Sequence, residues 1–294
     1  MNAEKTNCEV CGELLAPFPL DQANLLLRCR ACGHIIRPLE SAPASMRQHA
    51  WGGVGLFDHL RTALTWRSQR RFLKSIGFPH PLRVLEIGFG AGLMLRRHIA
   101  QGARCSGVER ELLETEISKG VVETIDYQRA AAEEMDFPPE SFDLIYAIHV
   151  AEHLQEPDLV FKKIYQLLAP HGALHLMTPN GASLGLRLFK TAWWNLEDPT
   201  HLRFYSPESI TRLLASAGFS EIEVKQPLWD SLLLEGASTA RLVLHRELEH
   251  GVLSLKRGKA IALLSSPFFL LGRALISDLN PSIEIWARKG TGSP

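Results

Sequence analysis

The stretch VLEIGFGAG, residues 84–92, constrains the fold of this chain more than any other. Val84, Leu85 and Ile87 read as a buried strand, and Gly88, Gly90 and Gly92 follow at alternate positions. Glycine lets the backbone turn sharply and approach a ligand with no side chain between them. The next residues, LMLRRHI, read as a helix whose first N–H groups have no partner within the helix. A strand, a bare loop and a helix in this order open a sheet built by helical crossovers.

The alternation continues downstream. Strands are expected near Leu82–Ile87, Arg104–Val108, Thr124–Tyr127, Phe142–Ile148 and Ala173–Met177, with helices at about 91–101, 111–119 and 157–168. SPESITRLLASAGF (206–219) reads as a helix with Ser206 as N-cap, Pro207 in the first turn and Gly218 as the stop. SEIEVKQ (220–226) and SIEIWARKG (282–290) supply a last pair of strands. The expected fold class is α/β: a Rossmann-like, mostly parallel seven-stranded sheet with helices on both faces. Upstream, Leu60, Leu64, Phe72, Leu73 and Ile76 fall on helical spacing, and SAPAS (41–45) reads as a linker.

Glu86, inside the loop motif, narrows the ligand. The dinucleotide fingerprint is G-x-G-x-x-G, but here the third glycine arrives one residue early and Leu93 takes its place. A carboxylate at the strand end repels a pyrophosphate and suits a ligand with positive charge, such as the sulfonium and ammonium of S-adenosylmethionine.

Four segments in order, VLEIGFGAG, SGVERE, AAAEEMDFPPESFDLIYAIHVAEHL and LLAPHGALHLMTPN, resemble the class I S-adenosylmethionine-dependent methyltransferases. The resemblance is to the small-molecule type that includes ubiquinone-biosynthesis O-methyltransferases, and it runs from about Pro81 to Phe219. It implies that Glu86, Gly88, Gly90 and Gly92 hold the methionine portion and Glu109 the ribose hydroxyls. Ala132, Glu133 and Met135 would line the adenine, and Ala147 would offer a backbone carbonyl. The family often has an acid where Ala131 stands, so the adenine amino contact is expected to fall to Glu133. Met135 reads equally well as core.

An activated methyl donor needs no nucleophile from the protein, and alignment supplies much of the acceleration. A hydroxyl or an acidic carbon as acceptor still gains from a base, for which histidine is suited near neutral pH. His149, His153 and His201 are the candidates. His201 lies among Trp193, Trp194, Phe204 and Tyr205, which form either an acceptor-pocket wall or a packed lid.

Cys8, Cys11, Cys29 and Cys32 give C-x2-C-x17-C-x2-C, the spacing of a structural four-cysteine Zn2+ site, with Gly12 and Gly33 turning the chain after each pair. Cys105 reads as a small core residue. The expected organisation is a zinc ribbon at 1–40, a helical segment at 46–80 and the methyltransferase domain at 81–294, with a helical insertion at about 227–281.

Lys+Arg and Asp+Glu are equal at 32 each, so no overall field draws the chain to nucleic acid or anionic lipid. No secretory start and no apolar run of about 18 residues is evident, and a cytoplasmic location is expected. KAIALLSSPFFLLGRALISDL (259–279) is apolar on most faces and reads as interrupted at Pro267. It is either a helical cap or a peripheral membrane contact, with Lys256, Arg257, Lys259 and Arg273 nearby.

The expected activity is methyl transfer from S-adenosylmethionine to a small-molecule or sugar-type (glycan-precursor) acceptor, lipid-linked ones included. One alternative is RNA base methylation, with Arg28, Arg30 and Arg37 of the ribbon touching RNA. The other is an inactive zinc-ribbon scaffold that keeps the fold.

Overall fold

The computed structural model describes residues 7–20, 25–38, 55–78, 81–113, 115–244 and 252–290; the linker expected at 41–45 lies outside them. The first strands are β1 (Leu15–Pro19), β2 (Leu25–Cys29) and β3 (Ile35–Ile36), followed by α1 (Leu56–Ile76). Then come β4 (Arg83–Ile87), α2 (Leu93–Ile99), β5 (Arg104–Val108), α3 (Glu116–Val122) and β6 (Asp126–Gln128). β7 (Phe142–Ile148), α4 (Pro157–Leu167), β8 (Leu168–Pro179), α5 (Leu184–Phe189) and β9 (Arg203–Phe204) follow. The chain ends with α6 (Pro207–Ser216), β10 (Ser220–Lys225), α7 (Leu234–Val243), α8 (Lys256–Leu275) and β11 (Ser282–Arg288).

Two compact units form, neither continuous in sequence. One comprises 50–177, 213–223 and 284–294; the other comprises 1–49, 178–212 and 224–283.

The first of these is built on a seven-stranded sheet in the order β10-β11-β8-β7-β4-β5-β6. β4 pairs in parallel with both β5 and β7, and β6 and β8 extend the parallel run on either side. β11 runs the other way, since the Lys289 N–H reaches Gly172 O at one end while His175 meets Glu284 further along. Successive strands depart from β4 in opposite directions, which puts the sheet's topological switch point at the carboxyl ends of β4 and β7.

Val84, Leu144, Ala173 and Trp286 are buried in this unit's core. The ring of Phe72, from α1, stacks on Trp286 at 3.7 Å. Trp66 and Leu73 of α1 pack half-buried against the same core, but the residues it buries fully are the polar Thr62, Thr65 and Gln69. A directed set of hydrogen bonds holds it. His98 Nε2 donates to Gln69 Oε1 (2.8 Å), Gln69 Nε2 to His175 Nδ1 (3.0 Å), and His175 Nε2 to Glu284 Oε1 (3.0 Å). Ser68 adds a donor to the same carboxylate at 2.5 Å. Burial keeps His98 neutral, with its pKa down to about 3, and lowers His175 as well.

The other unit contains a four-stranded antiparallel sheet in the order β1-β2-β3-β9. Ile35 and Ile36 pair with Phe204 and Arg203, so the cysteine-bearing segment closes on a strand far downstream and not on itself alone. Leu26 and Ile35 share a core with Trp193, Phe204 and Leu234. α7 and α8 pack closely: a Cβ added to Gly236 would lie 2.3 Å from Ala262 O. Between them Arg273 Nε donates to Glu235 Oε1 at 2.8 Å, and its guanidinium also reaches the carbonyls of Leu228, Asp230 and Ser231.

The expected interruption at Pro267 does not occur. α8 is one helix of 20 residues, long and apolar enough by length and composition to cross a membrane. Proline removes one intrahelical donor. Here the hydroxyls of Ser265 and Ser266 return to the carbonyls of Ile261 and Ala262, supplying local bonds in the turn where the donor is lost.

Candidate functional site

The glycine loop after β4 has three residues in the left-handed region, with φ of 70° at Gly88, 54° at Gly90 and 75° at Gly92. At Gly88 no larger residue fits, because a Cβ would lie 2.5 Å from Val150 Cγ2. The Gly88 N–H bonds Val108 O at 2.8 Å, which pins the loop beside the end of β5.

Two carboxylates bracket this loop. Glu86 is 5% exposed, and Tyr146, its neighbour across the β4–β7 pair, donates to Glu86 Oε2 at 2.8 Å. Burial holds its pKa well above the ordinary carboxylate value, and the nearby negative Glu109 adds to the rise. Glu109 follows β5. It accepts from the Gly90 N–H at 2.8 Å and from the Glu111 N–H at 3.3 Å.

The segment expected at the adenine is held by side chains from outside it. Ala132–Glu134 form one 3-10 turn. Lys163 Nζ, on α4, donates to the carbonyls of Glu133 (2.9 Å) and Met135 (3.0 Å). Gln128 brackets Asp136, accepting its N–H at 2.9 Å and donating to its carbonyl. Ala132 is buried and Met135 is fully enclosed. Glu133 Oε1 accepts from the Gln155 N–H at 2.8 Å, just ahead of α4. Ala147 is buried on β7 between Ile87 and Leu176. All nine expected cofactor residues therefore lie in one unit, at the carboxyl ends of β4, β5 and β7 or just after β6.

His149 follows β7 and adopts φ 56°, unusual for a residue with a Cβ. Its Nδ1 lies 3.3 Å from Oε1 of Glu152, whose side chain is fully buried. His153 is half-buried in the 3-10 turn Ala151–His153, where its N–H bonds Val150 O. His201 belongs to the other unit. Its Nδ1 donates to Asn195 O at 2.7 Å, and its Nε2 is 3.8 Å from Asp198 Oδ2. Of the aromatics near it in sequence, Trp193, Phe204 and Tyr205 are fully buried, the first two within that unit's core.

The four paired cysteines meet. Sγ atoms are 3.7 Å apart for Cys8 and Cys32, 3.4 Å for Cys11 and Cys29, and 3.6 Å for Cys11 and Cys32. These separations exceed a disulfide bond and match the roughly 3.8 Å edge of a tetrahedron with Zn–S near 2.3 Å. The two knuckles are near copies: Gly12 N–H bonds Cys8 O and Gly33 N–H bonds Cys29 O, with φ of 77° and 72°. Backbone N–H groups of Val10 and Cys11 face the Cys8 sulfur, and those of Cys32 and Ala31 face Cys29. Such donors stabilise thiolates, so this chain's residues fit a tetrahedral thiophilic ion with no open coordination position. Glu9, between the first two cysteines, is clasped by Arg203 Nε (2.6 Å) and Nη2 (2.8 Å) and by His34 Nε2 (2.9 Å). Although burial opposes it, these donors bring its pKa down to about 2.

Tyr146, Glu152 and Lys163 were not anticipated from sequence. Tyr146 was within reach of a register argument, since β4 and β7 pair Glu86 with Tyr146. Glu152 stands three residues after His149, which is a helical-turn spacing in a segment read as the end of a strand.

A methyltransferase-domain family model matches residues 57–224, more than half of the chain. The protein belongs to that family and is a class I S-adenosylmethionine-dependent methyltransferase. A ubiquinone biosynthesis O-methyltransferase of Chelativorans sp. (strain BNC1) is 32% identical over 150 residues, 47% of this chain and 58% of that protein. The match thus spans well under two thirds of that relative. A Cereibacter sphaeroides protein of the same name is 26% identical over 228 residues, 70% of this chain and 92% of its own. The fold is shared with Haemonchus contortus phosphoethanolamine N-methyltransferase 2, solved with phosphomonomethylethanolamine and S-adenosylhomocysteine. That likeness has a TM-score of 0.55 at 21% identity, covering 77% of this chain and 53% of the other.

Proposed function

We propose that this protein methylates a hydroxyl oxygen of a small-molecule acceptor, with His149 as the base and Glu152 holding its ring. The observation that carries this reading is the buried Glu152 carboxylate 3.3 Å from His149 Nδ1, at the carboxyl end of β7. A proton on Nδ1 facing that carboxylate makes Nε2 the nitrogen able to take another. The left-handed backbone at His149 is the kind of local strain that persists where a side chain must be aimed.

When bound, S-adenosylmethionine supplies a methyl carbon activated by a sulfonium. Glu86, Gly88, Gly90, Gly92 and Glu109 would hold its methionine and ribose portions, Ala132, Glu133 and Met135 its adenine side, and Ala147 would offer a backbone carbonyl. His149 receives the acceptor's proton as its oxygen bonds to the methyl group and the carbon–sulfur bond breaks. The names of the curated relatives, both O-methyltransferases, support a hydroxyl as acceptor. A sugar-type or lipid-linked acceptor is the finer form of the same reading, and the exposed apolar face of α8 supports the lipid-linked form. Cys8, Cys11, Cys29 and Cys32 would hold a structural Zn2+.

The test compares His149→Ala and Glu152→Gln with the parent on a catechol acceptor. Methyl transfer should fall at least about a hundredfold in His149→Ala, with S-adenosylmethionine affinity retained. Unchanged turnover in both variants would remove the base assignment. Absence of any heat on titrating S-adenosylmethionine into the parent would favour the inactive scaffold.

A second reading, RNA as acceptor, is favoured by one feature. Arg28 lies over the Phe18 ring at 5.5 Å, and both line a groove of about 300 Å³ with Arg30. It predicts RNA binding that weakens steeply with salt. Salt-insensitive or undetectable binding would exclude it.

A further inference from the structure

α8 presents two unlike faces. Gly258, Ala262, Ser266 and Arg273 are buried, the last in its ion pair with Glu235 of α7. On the opposite side Leu264, Phe268, Leu271 and Leu275 are between 64% and 77% exposed. At 100° per residue these four fall within about 60° of arc, so they form one straight stripe about 16 Å long. Arg257 continues the same line toward the helix start and Lys256 lies about 90° to one side of it, both exposed, whereas Lys259 is about 150° round, beside the buried side. α8 contains no Asp or Glu.

Large apolar side chains aligned and open to water in this way mark an interaction surface. Cations gathered at one end, with no acid among them, match a surface that is anionic at its boundary and apolar beneath it. We infer that α8 docks in the interfacial layer of an anionic lipid bilayer, lying flat, with Leu264, Phe268, Leu271 and Leu275 among the acyl chains and Lys256 and Arg257 at the headgroups. The helix has the length to span a bilayer, but its other side is committed. Arg273 is locked against Glu235, and close packing at Gly236 and Ala262 joins it to α7. A buried ion pair and a polar seam suit a helix that lies on a membrane.

This inference stands apart from the reading of His149 and the acceptor, because it is measured without donor or acceptor. The full chain is sedimented with phosphatidylcholine vesicles, with and without phosphatidylglycerol. Binding is expected to the vesicles containing phosphatidylglycerol, to weaken with rising salt, and to be released by a high-salt wash. The double variant Leu264→Glu/Phe268→Glu should lose at least about tenfold in binding. Its circular dichroism and S-adenosylmethionine affinity should be unchanged, since both positions are exposed. Lys256→Glu/Arg257→Glu should lose binding only to the anionic vesicles. No binding by the parent, or equal binding by Leu264→Glu/Phe268→Glu, would overturn the inference. So would a parent that ignores vesicles and forms a dimer that the double variant abolishes, because a second copy would then cover the stripe. Retention through the salt wash would overturn it in favour of insertion across the bilayer.

Discussion

At Glu86 a negative charge is wanted by the ligand and refused by the surroundings. Its raised pKa means the folded chain holds a proton that the unfolded chain has released. Stability contributed at this position therefore falls as pH rises from the ordinary carboxylate value toward the folded one. Glu86→Gln should be more stable than the parent at pH 8 and closer to it at pH 5, as urea melts at the two pH values would show. A cationic ligand beside the carboxylate reverses the preference, so binding should expel the proton. Calorimetry in buffers of different ionisation enthalpy should give different apparent heats for the parent and equal heats for Glu86→Gln. At the other carboxylate, Glu109→Ala should weaken S-adenosylmethionine binding by roughly tenfold to a hundredfold, the range for losing hydrogen bonds to a charged group. Gly88→Ala should cost about 1–3 kcal/mol of stability, because φ is 70° and Val150 stands in the way.

Elements were legible in the sequence to the degree that a periodic pattern filled them. β5 and β7 occur with the bounds expected; β7 is a run of buried residues ended by His149, whereas in β5 only Gly107 and Val108, just before Glu109, are buried. β9 could not be foreseen: two residues carry no period, and Arg203–Phe204 is a strand only because Ile35 and Ile36 pair with it. β1 and β2 were hidden for a related reason, proline and cysteine breaking the alternation that marks a strand. α1 was found from spacing, yet the bonds that fix it run through Gln69, a residue no hydrophobic pattern selects. Gln69→Leu would leave His98 and His175 without that partner, at a cost of roughly 2–4 kcal/mol. The same network predicts acid sensitivity. His98 has a folded pKa near 3, below the ordinary value of about 6.5, so its contribution is complete above the latter and is lost as pH falls toward the former. His175 and Glu284, both lowered, act in the same direction. Hydrogen exchange between pH 7 and pH 4 should show α1 losing amide protection on acidification.

At the scale of the whole molecule, chain order and compactness disagree. The cysteine knuckles, the segment from 178 to 212 and helices α7 and α8 form one unit, although the seven-stranded sheet's first four strands lie between the first and the second in sequence. The glycine loop was legible because a single contiguous motif carries it; the surroundings of the knuckles were not, because they come from distant sequence. With the proposed ion at Cys8, Cys11, Cys29 and Cys32, a chelator should strip amide protection from β1, β2, β3 and β9 and leave β4, β5 and β7 protected. Hydrogen exchange with and without the chelator checks this, as does Cys29→Ser. Glu9 gives the outcome a practical edge. It stands between two sulfur ligands and grips Arg203, which is two positions from His201. Preparations that shed their ion in storage would slacken this latch and with it the stretch bearing His201. Batches of differing metal content should then differ in amide protection around Arg203 and Phe204 while keeping one affinity for the methyl donor.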